Sequence, residues 1–217
     1  ATAFRATLGT ASPRIALLAE YDALPELGHA CGHHISGTAS TFAALALRES
    51  GLLDQYAGTI SVIGTPMEEA GGGKIRMVDA GVFRDLDAVL MTHTSNETRA
   101  AYRTSAAQGF RITLTGGPSA HEWRARNIMD VLLDVLMSIR VVENRAGAGT
   151  QINWVIPEGG TQNNVVPARV VVDLCIWCYD GDVLQRTAER IRVRVHEAVA
   201  GTPVVVTMAP LELLYLP

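Results

Sequence analysis

The 217-residue chain has only three cysteines, Cys31, Cys175 and Cys178. They are too few and too unevenly placed for a disulfide framework, so a reducing, cytoplasmic setting is expected. Basic charge is also in short supply, with Lys+Arg 18 against Asp+Glu 22 and a net charge of -4. Without a basic excess, neither a nucleic acid nor an anionic membrane surface is an expected partner. No apolar run reaches the length of a membrane span, and the first residues, Ala1 to Arg5, have neither an initiator Met nor a signal-peptide profile. An internal portion of a longer protein is therefore expected, and the abrupt end at Leu216-Pro217 points the same way. What is present in quantity is apolar: 48% hydrophobic residues, enough for a core of ordinary globular size; the charge balance leaves a small molecule as the expected partner.

The first half alternates strand-like and helix-like segments, which predicts an α/β domain with a largely parallel sheet flanked by helices. Strands are expected at Arg14 to Glu20, Thr59 to Gly64 and Asp87 to Thr92, and helices at Thr38 to Arg48 and Lys74 to Ala80, the latter closed by Gly81. The second half reads differently. Strands at Gly109 to Thr115, Gln151 to Ile156, Arg169 to Ile176 and Pro203 to Met208 bracket amphipathic helices at Asn127 to Asn144 and Val183 to Ala200. The order βαββαβ predicts a ferredoxin-like domain. The expected division is 1–105, 106–213, and a return towards the first domain at 214–217.

The residues that carry chemistry lie just past the ends of the first-half strands, where open α/β sheets hold their ligands. Cys31 and His33 sit in a stretch that Gly28 and Gly32 make pliable, so thiolate and imidazole can converge on one metal. The pair Glu68-Glu69 has two readings: a solvated acidic start to the Lys74 helix, or one metal-binding carboxylate beside one that takes a proton from water. His93 is either a hydrogen-bonded strand end or a ligand. Asp22 is either a turn residue ahead of Pro25 or a carboxylate that orients a histidine. Cys175 and Cys178, three apart on one strand, face opposite ways and are read as packing.

Taken together, Tyr21-Asp-Ala-Leu-Pro, Gly28-His-Ala-Cys-Gly-His33, Gly64-Thr-Pro-Met-Glu-Glu69, Met91-Thr-His93, Ser119-Ala-His121 and Asn164-Val-Val-Pro167 resemble the aminoacylase and carboxypeptidase G type of dinuclear zinc peptidases. The likeness is to the amidohydrolase branch that holds p-aminobenzoyl-glutamate, hippurate and auxin-conjugate hydrolases. The resemblance implies two divalent ions per subunit, zinc, manganese or cobalt, with Cys31 bridging and His33, Glu69 and His93 as terminal ligands. It implies Glu68 as general base and acid, Asp22 as supporting carboxylate, and a hydroxide held on the metal as the attacking group. It further implies a homodimer through the second domain, a lid whose His121 steadies the oxyanion in the partner's site and whose Asn164 contacts substrate. On residue chemistry alone, His121 and Asn164 can equally be polar loop and turn residues.

Two features depart from that pattern. The further metal-binding His expected late in the chain is missing, His196 lying inside the second lid helix, and Ile176-Trp177-Cys178 stands where relatives often carry an Arg for a substrate carboxylate. The expected activity is metal-dependent hydrolysis of the amide bond of N-acyl amino acids or dipeptide-like substrates. A non-catalytic binding or scaffold homologue is the alternative that the missing His motivates.

Overall fold

The computed structural model describes residues 2–100, 103–117 and 126–215, and the chain divides into two compact units, Ala1–Ala100 and Ala101–Pro217. The first unit is built on strands β1 (Phe4–Gly9), β2 (Arg14–Glu20), β3 (Thr59–Thr65) and β4 (Ala88–Met91), in the order β1-β3-β2-β4. β2 runs parallel to both β3 and β4, while β1 joins antiparallel at one edge. That edge strand is an addition to the expected parallel set; its alternation of Phe4, Ala6 and Leu8 with Arg5 and Thr7 is a six-residue strand signal.

β2 is apolar without interruption from Ile15 to Ala19 because both of its faces are covered. Ala16 and Leu18 pack with Ile63 and Met77 on one face, and Ala19 packs with Ala44 and Val62 on the other. Helix α1 (His33–Glu49) begins five residues before the expected Thr38, inside the glycine-rich stretch. Its buried side, Ser36, Ser40 and Ala44, is small, so the helix lies close along β2, and the Ser40 hydroxyl donates to the Leu18 carbonyl at 2.5 Å. At Gly37 a Cβ would stand 2.5 Å from the Glu20 carbonyl oxygen, so glycine is required by the closeness of that approach. A short α2 (Leu52–Gln55), one-turn α3 (Glu68–Gly71) and α4 (Gly73–Asp79) complete the unit.

The second unit has the element order β5 (Ala106–Thr115), α5 (Ile128–Arg145), β6 (Gln151–Glu158), β7 (Arg169–Cys178), α6 (Gly181–Val199) and β8 (Val205–Tyr215). Its sheet is antiparallel, in the order β6-β7-β5-β8. The final strand runs to Tyr215, well past the expected Met208. One continuous core fills the unit, with Phe110, Ile112 and Leu114 of β5 and Val172, Leu174 and Ile176 of β7 under Val131, Val135 and Ile139 of α5 and Leu184 and Ile191 of α6. Among the described residues, no helix is long and apolar enough to cross a membrane.

Candidate metal centre

The sequence places donors at the carboxyl ends of β2, β3 and β4, and the parallel register brings those ends together. The β2–α1 connection delivers Asp22 and Cys31, and α1 itself delivers His33 as its first residue, so this histidine is set by a helix rather than by the pliable loop expected. Gly32 caps that helix at φ 88°, a left-handed conformation natural to glycine. Its neighbour Thr94 donates its hydroxyl to the Cys31 carbonyl at 2.5 Å, tying the loop to the segment after β4. Glu68 and Glu69 follow β3 in their own turn, α3, with the left-handed Gly72 separating it from α4.

His33 is fully buried and is the hub. Its Nδ1 lies 3.0 Å from the Asp22 carbonyl, 3.5 Å from Asp22 Oδ1 and 3.8 Å from Glu69 Oε1. Its Nε2 lies 3.2 Å from Glu20 Oε2 and 3.7 Å from Glu68 Oε2. The Asp22 carboxylate also accepts the Glu69 backbone N–H at 3.0 Å, so one residue braces both the imidazole and the acidic turn. His93 stands two residues beyond β4, with its Nε2 3.5 Å from Cys31 Sγ and its ring 5.8 Å from that of His33. Two donor groups result, Cys31, His33 and His93, and His33, Glu68 and Glu69, each within 4.8 Å.

The electrostatics of this cluster call for positive charge. Burial pushes the Cys31 thiol up to about 11, with the charges of Glu69 and Glu68 adding to it. Burial likewise raises Glu68 above the ordinary glutamate value, reinforced by Glu20 and opposed by Lys74 and His33. Buried polar atoms are normally paired, yet Glu20 Oε2, Asp22 Oδ1, His33 Nε2 and Glu69 Oε1 have no hydrogen-bond partner among the described residues. Thiol, imidazole and carboxylate are the donors that zinc and its neighbours select, and a divalent ion would both satisfy these atoms and hold the thiol deprotonated. The residues therefore fit such an ion.

Asn164 is exposed in the turn between β6 and β7 of the second unit, and His121 falls outside the described residues. Two members of the cluster lay outside the expected site: Glu20, the last residue of β2, and Lys74 of α4, whose ammonium is ion-paired to it. The available signal for Glu20 was an acid closing an otherwise apolar strand directly ahead of the Tyr-Asp-Ala-Leu-Pro motif.

The model of peptidase family M20/M25/M40 matches residues 16–213. The chain belongs to this family. Among M20 relatives, the mouse (Mus musculus) Xaa-Arg dipeptidase is 36% identical over 181 residues, covering 77% of this chain and 42% of that protein. One of the two p-aminobenzoyl-glutamate hydrolase polypeptides of Escherichia coli strain K12 is 33% identical over 215 residues, covering 87% of this chain and 44% of that one. The chain thus spans less than half the length of either M20 relative. A crystal structure from Bacillus subtilis, described as a dinuclear metal binding peptidase from the M20 family, superimposes with a TM-score of 0.70 at 19% identity, covering 98% of this chain and 61% of that one.

Proposed function

We propose that this chain is the metal-binding and lid portion of a hydrolase that cleaves the amide bond of N-acyl amino acids or dipeptide-like substrates. The observation that carries this reading is the meeting of two donor groups on the buried His33. Cys31, His33, Glu69 and His93 would hold two divalent ions; zinc, manganese and cobalt share this donor chemistry. When bound, such ions polarise a carbonyl and make water acidic near neutral pH. Glu68 takes the proton from the attacking water and returns it to the leaving amine, a role its raised pKa and half-buried position suit. Asp22 keeps His33 and the Glu69 turn in place through the bonds described above.

The second unit is assigned as a ferredoxin-like lid, a reading that its strand order β6-β7-β5-β8 supports. Asn164 would meet the substrate from it, and His121 would reach across a homodimer to the oxyanion of the other protomer's reaction. Exposed apolar residues on α5, Leu133, Met137 and Val141, recur at every fourth position, and β6 is a free edge of the sheet. A two-fold pairing surface of this kind suits a homodimer.

The deciding test pairs metal analysis with an amidase assay on Glu68→Ala and Cys31→Ala. Glu68→Ala is expected to keep its metal and lose turnover by about 10²- to 10⁴-fold, while Cys31→Ala is expected to lose metal. Full activity in the Glu68 variant would refute its role as base. Two bound ions without turnover in the complete protein would favour a binding homologue instead.

A further inference from the structure

We propose that Glu20, clamped by Lys74, is a positioning residue beside His33: it fixes a carboxylate oxygen on the Nε2 side of the imidazole, next to the lone pair that the ring presents to the cation site proposed above, on which this role rests. Glu20 is 1% exposed, and a carboxylate removed from water is costly unless it is paired. Lys74 pairs with Oε1 only. The second oxygen, Oε2, has no hydrogen-bond partner among the described residues and lies 3.2 Å from His33 Nε2, itself buried and unpartnered. A purely structural ion pair has no use for that arrangement, which leaves one buried oxygen unsatisfied.

On the opposite side of the ring, the Asp22 carbonyl stands 3.0 Å from Nδ1. His33 is thereby held at Nδ1 by the carbonyl, while its Nε2 faces the Glu20 carboxylate at 3.2 Å without a hydrogen bond. The Asp22 carbonyl accepts the Nδ1 proton and fixes the ring's orientation, which leaves the Nε2 lone pair to take a cation beside a carboxylate that must not move. The ion pair supplies the immobility. Lys74 comes from α4, on a different element from both Glu20 and His33, and it prevents the carboxylate from turning away. Gly37 adds to this by letting α1 seat directly against the Glu20 backbone, which sets the distance between the helix carrying the imidazole and the strand carrying the acid.

The test uses cobalt(II) as probe on the full chain. The double substitution Glu20→Gln/Lys74→Met removes both charges together at similar volume, so no orphaned buried charge is left to unfold the site. Cobalt affinity, read from its visible absorption and by calorimetry, is expected to fall about ten- to hundred-fold with displaced absorption bands. Thermal unfolding of the metal-free variant is expected to stay within a few degrees of wild type. Lys74→Met alone is expected to displace the same bands, and Lys74→Arg to restore them. Wild-type affinity and bands in the double variant, or in Lys74→Met, would overturn the positioning role while leaving the cation site standing. A wild-type chain that takes up no cobalt would overturn the site and this role with it.

Discussion

At the scale of single residues, the first unit depends on side chains that are small or absent. Gly37 is the sharpest case, since a methyl group there would meet the Glu20 carbonyl oxygen at 2.5 Å and backbone cannot yield as a side chain can. Gly37→Ala is therefore expected to destabilise the unit by about 1–3 kcal/mol through overpacking. It should also weaken metal binding, because it pushes His33 away from Glu20 and Asp22; chemical denaturation and metal titration of the same variant would check both. The candidate ligands Cys31, His33, Glu69 and His93 and the candidate base Glu68 could be picked out in the sequence because they lie past the ends of apolar runs and are chemically distinctive. Glu20 and Lys74 were not, because they are 54 residues apart and meet only through the sheet register and the placement of α4. An acid at a strand end and a lysine after three glycines read as ordinary solvated charge.

At the scale of elements, helix starts carry measurable electrostatics. The Asp180 carboxylate accepts the backbone N–H groups of Asp182 and Val183 at the head of α6, and those bonds, Val183 first, hold it below the ordinary aspartate range. A depressed folded-state value means that the cap contributes stability above the unfolded-state pKa and loses it as pH falls through the folded one. Melting curves of wild type and Asp180→Ala are expected to differ at neutral pH and to converge in strong acid; a difference that persists at the lowest pH would contradict this. The start of α5 was equally readable, with Asn127 accepting from Met129 and Asp130 accepting the Asn127 N–H in a reciprocal box. The start of α1 was not. Its cap is a left-handed glycine without a side-chain bond, so the helix signal began only at the alanine-rich stretch, and the first turn that carries His33 passed for loop.

For the molecule as a whole, the two units differ in how they are held together. The second has one continuous core, whereas the first has two small clusters, an edge strand whose Val89, Leu90 and Met91 are exposed, and a buried knot of carboxylates around His33. Metal binding should therefore stabilise the first unit selectively, since an ion bound only by the native state adds its binding energy to folding. Chelation is expected to lower hydrogen-exchange protection in β2, β3 and α1 while leaving β5 and β7 unchanged. Equal loss in both units would count against a site confined to the first. The proposed dimer is tested at this scale as well: Leu133→Glu or Met137→Glu on the exposed stripe of α5 is expected to shift sedimentation towards monomer, and a wild-type chain that sediments as a fully active monomer would dismiss it.

Apolar runs and helical periodicity, read from the sequence alone, were enough to set the α/β character of the first unit and the strand–helix order of the second, because burial requires those spacings wherever an element ends up. Residue type likewise marked the side chains with the chemistry to bind a metal, since thiol, imidazole and carboxylate are intrinsic. The folded chain decided which charges become partners. Whether Glu20 faces water or His33 depends on parallel pairing of β2 with β3 and on α4 closing over the strand ends, and desolvation there turns ordinary acids into a site that calls for a cation.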